Sequence, residues 1–162
     1  MFENAGKMAD MIQIRNQEVG LSRMVAGYAW KWVSKADKDA YDISLDGRQW
    51  KWNTTDRDWV NSPTSINEIG CIHTIQGYDL NYAAIIFGYE IDYDMKHKCF
   101  IVDKSKYKDG LGKSVGKNQA ALEEYILNIY KTMLTRGICG TYVYACNKGM
   151  REYLKRYIPL ST

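Results

Sequence analysis

With 162 residues, 46% of them hydrophobic and 25% charged, the chain is long enough for one packed domain and has an ordinary soluble composition. Its net charge of +3 does not indicate a nucleic-acid surface by itself, because phosphate tracking needs Lys and Arg clustered locally. The absence of any C-x-x-C pair among four cysteines, of a long apolar run and of a signal-peptide pattern implies a soluble, cytoplasmic protein with no zinc site and no membrane partner.

Residues 5–19 carry Met8, Met11, Ile12, Ile14 and Val19 at loose helical spacing, closed by Gly20. This predicts a connector helix over residues 1–20, ahead of a domain spanning 21–162. Ser22 to Trp30 reads as a short buried strand. Tyr41–Leu45 and Gln49–Trp52 each alternate polar and apolar residues around Asp46-Gly47-Arg48, which predicts a small β-hairpin insertion. Asn53 to Ser65 is rich in Asn, Thr, Asp and Ser and predicts a loop.

Two apolar runs follow, Glu68–Thr74 and Tyr82–Tyr89, both expected to be strands. The segment Ala83-Ala84-Ile85-Ile86-Phe87-Gly88 does not alternate, which suits a strand covered on both faces. Phe100-Ile101-Val102 predicts a minor strand, and Lys104 to Gly116 a basic, glycine-rich loop. Asn118 to Thr135 is the clearest helix, with Leu122, Tyr125, Ile126, Ile129, Tyr130 and Met133 three and four residues apart. Thr141–Cys146 then predicts another central strand and Gly149–Tyr157 a short helix. Strands alternating with helices imply an α/β three-layer sandwich with a mostly parallel sheet.

Two segments carry chemistry. Ile72-His73-Thr74-Ile75-Gln76-Gly77-Tyr78-Asp79-Leu80 offers an amide and a carboxylate around a glycine, expected at the carboxyl edge where open α/β sheets bind ligands. On spacing alone it is equally a polar turn before a strand. Asn128 to Gly137 ends the long helix with Leu134-Thr135-Arg136. That arginine either complements the helix dipole or offers a planar fork to phosphate oxygens.

Taken together, these segments resemble motifs of superfamily 1 helicases. Glu68 to Gly88 is similar to motif V, and Asn128 to Ala145, with its Leu-Thr-Arg core, is similar to motif VI. Leu21-Ser22-Arg23-Met24-Val25-Ala26-Gly27-Tyr28-Ala29-Trp30-Lys31-Trp32 and Trp52-Asn53 resemble a narrower group, the Schlafen group 3-like DNA/RNA helicase domain of bacterial ATP-binding proteins. The resemblance implies the second RecA-like domain of a P-loop NTPase, clamping ATP and Mg2+ against an N-terminal RecA-like P-loop domain of the same protein. It assigns the catalytic arginine finger to Arg136, nucleotide contacts to Gln76, Gly77, Asp79 and Thr135, and nucleic-acid contacts to His73, Thr74 and Arg23. Asp79 stands where the family carries Glu, and Asn81 where the narrower group often carries Asp.

A phosphate-binding loop requires G-x-x-x-x-G-K-[ST]. Gly112-Lys113-Ser114 imitates its tail, but Tyr107 occupies the first glycine's place, so Lys113 is not read as a phosphate-loop lysine. By itself the chain is therefore expected not to hydrolyse ATP. Two rival readings remain: a single-stranded nucleic-acid-binding module stacking bases on Tyr107, Trp30 or Trp52, and a non-catalytic assembly domain.

Overall fold

The computed structural model describes residues 1–110, 112 and 118–161. The basic loop's Lys113 lies outside the described residues. Four parallel strands form the central sheet in the order β4-β1-β5-β8: β1 (Ser22–Ala26), β4 (Ile69–Gly70), β5 (Leu80–Phe87) and β8 (Gly137–Ala145). β5 sits centrally, pairing Ser22–Ala26 on one side and Gly137–Ala145 on the other. Its alternate residues serve two cores. Ala83, Ile85 and Phe87 join Val25, Val143 and Ala145 on one face, while Ala84 and Ile86 join Met24, Ala26 and Tyr144 on the other. An unalternating apolar sequence is what a strand covered on both faces needs.

The first face is covered by α3 (Gln119–Leu134), with Leu122, Ile126, Ile129, Tyr130 and Met133 turned inward, and by α4 (Lys148–Lys155) through Met150 and Leu154. Asn118 starts α3 by accepting the Ala121 amide at 2.9 Å, an N-cap contact. The second face is covered by α1 (Ala5–Val19), whose Ala5, Met8, Ala9 and Ile12 are buried against the sheet. The helix over residues 5–19 is thus a layer of the fold rather than a free connector, with its Ala, Met and Ile side chains packed against β1, β5 and β8. β2 (Ile43–Leu45) and β3 (Arg48–Trp50) form an antiparallel hairpin across Asp46-Gly47, and Arg48 ties it to α1 through a two-pronged pair with Asp10 at 2.7 and 2.9 Å. β6 (Ile91–Asp94) and β7 (Cys99–Val102) form a second hairpin.

Two expectations shift. The strand expected from Ser22 to Trp30 ends at Ala26. The strand expected over Glu68–Thr74 is only Ile69–Gly70, followed by a single helical turn, α2 (Ile72–Ile75). Thr74 closes that turn, its Oγ1 donating to the Cys71 carbonyl at 2.9 Å and accepting from the Cys71 amide at 3.2 Å. A local side-chain bond of this kind overrides the β preference of Ile, Cys and Thr. Among the described residues no helix is long and apolar enough to cross a membrane.

Candidate functional site

Two turns meet at one edge of the sheet. The chain leaves α2 at Gln76, passes Gly77 in a left-handed conformation (φ 88°), and enters β5 at Leu80. Among the described residues nothing lies within 4 Å of where a Gly77 side chain would start, so glycine is needed there for its backbone angle and not for space. The chain leaves α3 at Thr135 and enters β8 at Gly137, with Arg136 between. The Leu80 amide donates to the Arg136 carbonyl at 2.8 Å, joining the two turns as one rung of the parallel ladder.

The side chains meet above that rung. Arg136 Nη1 lies 3.5 Å from Asp79 Oδ1, a loose and solvent-facing ion pair, with the guanidinium side chain 25% exposed and the carboxylate 63% exposed. Arg136 Nε donates to the Thr132 carbonyl at 3.2 Å, which anchors the base of the fork while leaving its outer edge towards solvent. Thr135 Oγ1 donates to the same carbonyl at 2.9 Å. Gln76 is exposed beside them. Gln76, Gly77, Asp79, Thr135 and Arg136 therefore share one edge.

That edge is the amino-terminal one, against the expectation of the carboxyl edge. Ile69–Gly70 align with Ala84–Ile85 through β1, so the ten residues from Gly70 to Asp79 carry the chain back to the start of β5. Because β4 stops after two residues, the turn belongs to the strand it precedes, not the strand it follows.

His73 lies at the other end of α2. It is exposed, its Nε2 is 3.3 Å from Asp109 Oδ2, and its ring lies 6.4 Å from that of Tyr28. A cleft of about 210 Å³ between α2 and α3 connects His73 with Gln76 and reaches Thr132, one turn before Arg136. Thr74 does not face this cleft as a free hydroxyl, being buried and engaged within its own turn. Arg23 stands apart from all of them. It is 7% exposed inside the fold, and its guanidinium donates to Ser65 Oγ (2.8 Å), Asn16 Oδ1 (2.6 Å), the Ser22 carbonyl (2.8 Å) and the Val60 carbonyl (2.6 Å). Burial pushes its pKa down. With four acceptors in place it acts as an internal tie between β1, α1 and the loop around Ser65.

The carboxyl edge holds features that the sequence did not announce. Tyr107 and Trp52, proposed above as base-stacking residues, are 1% and 0% exposed and belong to the core. Glu90 is 1% exposed beside the ends of β1 and β5; its Oε1 accepts from Tyr130 Oη at 2.6 Å, and that hydroxyl in turn accepts the Gly88 amide at 2.9 Å. Burial raises the Glu90 carboxyl to about 7. Side chains at Gly27 or Gly88 would collide with this group, starting 1.8 Å from Tyr130 Oη and 2.2 Å from Glu90 Oε2 respectively. A glycine after each strand was the visible trace of this network.

Residues 1–147 match the family described as Schlafen group 3, DNA/RNA helicase domain. The chain belongs to that family. The Schlafen group 3 domain here is also similar to the uncharacterized protein YPL245W of Saccharomyces cerevisiae, a eukaryote, with 32% identity across 96% of this chain. The chain spans only 36% of that relative's length. No solved structure matches it. The match identifies a helicase-related domain on an α/β fold with a four-stranded parallel sheet.

Proposed function

We propose that this Schlafen group 3 domain is the second RecA-like domain of a superfamily 1 helicase-like NTPase, acting on ATP and Mg2+ held mainly by a P-loop domain elsewhere in the same protein. The observation that carries the reading is the meeting of Arg136 with the Gln76–Asp79 turn on one solvent-facing edge, 3.5 Å apart at their charged atoms. A guanidinium anchored at Nε and held only loosely by Asp79 at Nη1 suits an anion that arrives from outside the domain. In this reading Arg136 leaves Asp79 for the γ-phosphate as charge develops, and Asp79 is released to accept from a ribose hydroxyl. Gln76, Gly77 and Thr135 line the approach.

Closure of the two domains then couples the nucleotide to a nucleic-acid strand. α2 joins the two jobs, because Gln76 at its end faces the Arg136 edge while His73 at its start faces the carboxyl side of the sheet. The decisive experiment is steady-state ATPase of the protein in which this domain follows a P-loop domain, with and without nucleic acid, beside its Arg136→Ala form. The expected result is a loss of turnover of about a thousandfold, in the range of other arginine fingers, with little change in nucleotide affinity. Unchanged turnover of Arg136→Ala, in a protein with normal melting, overturns the assignment and favours an assembly role.

A further inference from the structure

Past the carboxyl end of β1 the chain runs Tyr28, Ala29, Trp30, Lys31, Trp32 and then a single 3-10 turn, Val33–Lys35. This turn is rigidly placed. Ser34 is buried and donates through its amide and its hydroxyl to the two oxygens of Asp42 (2.8 and 2.6 Å), and the Trp52 amide donates to the same carboxylate at 2.8 Å. Tyr28 stacks on the buried Trp52 ring (5.2 Å, 23°), and Trp32 leans on the same ring at 6.0 Å. Trp30 and Trp32 thus stand half-buried beside the enclosed Trp52 ring, at 6.3 and 6.0 Å.

Two clefts open on either side of Trp32 and Lys35. One, about 320 Å³, is lined by Trp30, Lys31 and Lys108; the other, about 220 Å³, by Lys38, Lys51 and Asn53. Among the described residues five lysines therefore face two carboxylates, Asp109 in the first cleft and Asp56 in the second. Asn53 is 1% exposed; its Nδ2 donates to the Thr55 carbonyl and Asp56 Oδ1, while its Oδ1 has no hydrogen-bond partner among the described residues. An unpaired buried acceptor in a lysine-lined cleft calls for a donor from outside. Lys35 Nζ lies 3.9 Å over the Trp32 ring.

We infer that this double cleft binds a single strand of nucleic acid, with a base on Trp32, backbone phosphates on Lys31, Lys35 and Lys108, and a base N–H on Asn53 Oδ1. The base displaces the Lys35 ammonium from the indole face, and the ammonium moves to the phosphate of the same nucleotide. A cation–π contact is exchanged for a stacked ring and an ion pair, a combination that tolerates any sequence. The inference deepens the helicase-related reading by locating the strand, beside His73 and at the opposite edge from Arg136.

The test is fluorescence anisotropy of labelled oligo(dT) and oligo(U), each about 12 nucleotides, with the chain at salt concentrations from about 50 to 200 mM. Binding of either oligomer is expected, tighter for the strand the protein uses. Lys35→Glu weakens it about tenfold and flattens the salt slope by about one, and Trp32→Ala weakens it by about 5- to 100-fold. Trp32→Phe retains most of the affinity, which separates lost stacking from lost folding. Arg136→Ala leaves the affinity unchanged, so failure of the nucleotide reading and failure of this one are seen in different assays. The inference is overturned if neither oligomer binds at low salt, or if Lys35→Glu and Trp32→Ala both bind as the parent does.

Discussion

Glu90 makes the domain's stability fall as pH rises, and Glu90→Gln isolates that effect. An ordinary glutamate titrates near 4.5, whereas burial raises this one to about 7 in the folded chain. Below about pH 4.5 both states hold the proton and there is no penalty. Between 4.5 and 7 the unfolded chain releases a proton that the folded chain keeps, so rising pH favours unfolding. Above 7 both have ionised and the penalty levels off. The full gap corresponds to roughly 3 kcal/mol, most of which develops between pH 5 and pH 8. Glutamine keeps an acceptor for the Tyr130 hydroxyl at Oε1 but cannot ionise. Urea unfolding of parent and variant at pH 5, 6, 7 and 8 gives the comparison, since all other titrations cancel in the difference. The parent is expected to lose roughly 2–3 kcal/mol relative to Glu90→Gln across that range. A difference that stays constant with pH refutes the reasoning, and would mean that water or a neighbouring donor reaches the second carboxylate oxygen.

Other outcomes follow from packing and caps. Gly27→Ala drives a methyl to within 1.8 Å of Tyr130 Oη and should destabilise the fold by several kcal/mol in chemical denaturation, or abolish soluble expression. Asn118→Ala removes the Ala121 amide's acceptor and should cost about 1 kcal/mol, a fall of roughly 2–4 °C in Tm by calorimetry. Arg23→Met should cost at least about 2 kcal/mol in urea unfolding, because Asn16, Ser65 and the Val60 carbonyl lose their buried donor. Among the thiols, exposed Cys99 and Cys139 should alkylate rapidly at pH 8, while buried Cys71, and Cys146 with its thiol pushed up to about 12 by burial, should react only on unfolding, as mass spectrometry would read.

Hydrophobic periodicity carried most of the fold. The unbroken run Ala83–Phe87 reads as a doubly covered strand and lies at the centre of the sheet, and the three- and four-residue spacing from Leu122 to Met133 is the buried face of α3. Asp46-Gly47 marks its hairpin because the turn needs two left-handed residues, and both have φ near 50° and 80°. What periodicity cannot express is which neighbour an aromatic residue finds. Trp30, Trp32, Trp52 and Tyr107 look alike along the chain, yet two are core and two stand in clefts, because Asp42 and the hairpin end decide which rings are enclosed. Likewise Arg23 looks like any strand arginine until Ser65 and Val60, some forty residues away, close over it. Edge placement failed for a topological reason: with β4 cut to two residues, sequence adjacency to one strand said nothing about nearness to its end.

The bond between the Leu80 amide and the Arg136 carbonyl has a mechanical corollary. The two loops it joins cannot drift past each other without tearing the first rung from the middle of the sheet. A load taken up at Asp79 is therefore shared with the backbone of Arg136 and with the start of β5, the middle strand of the sheet.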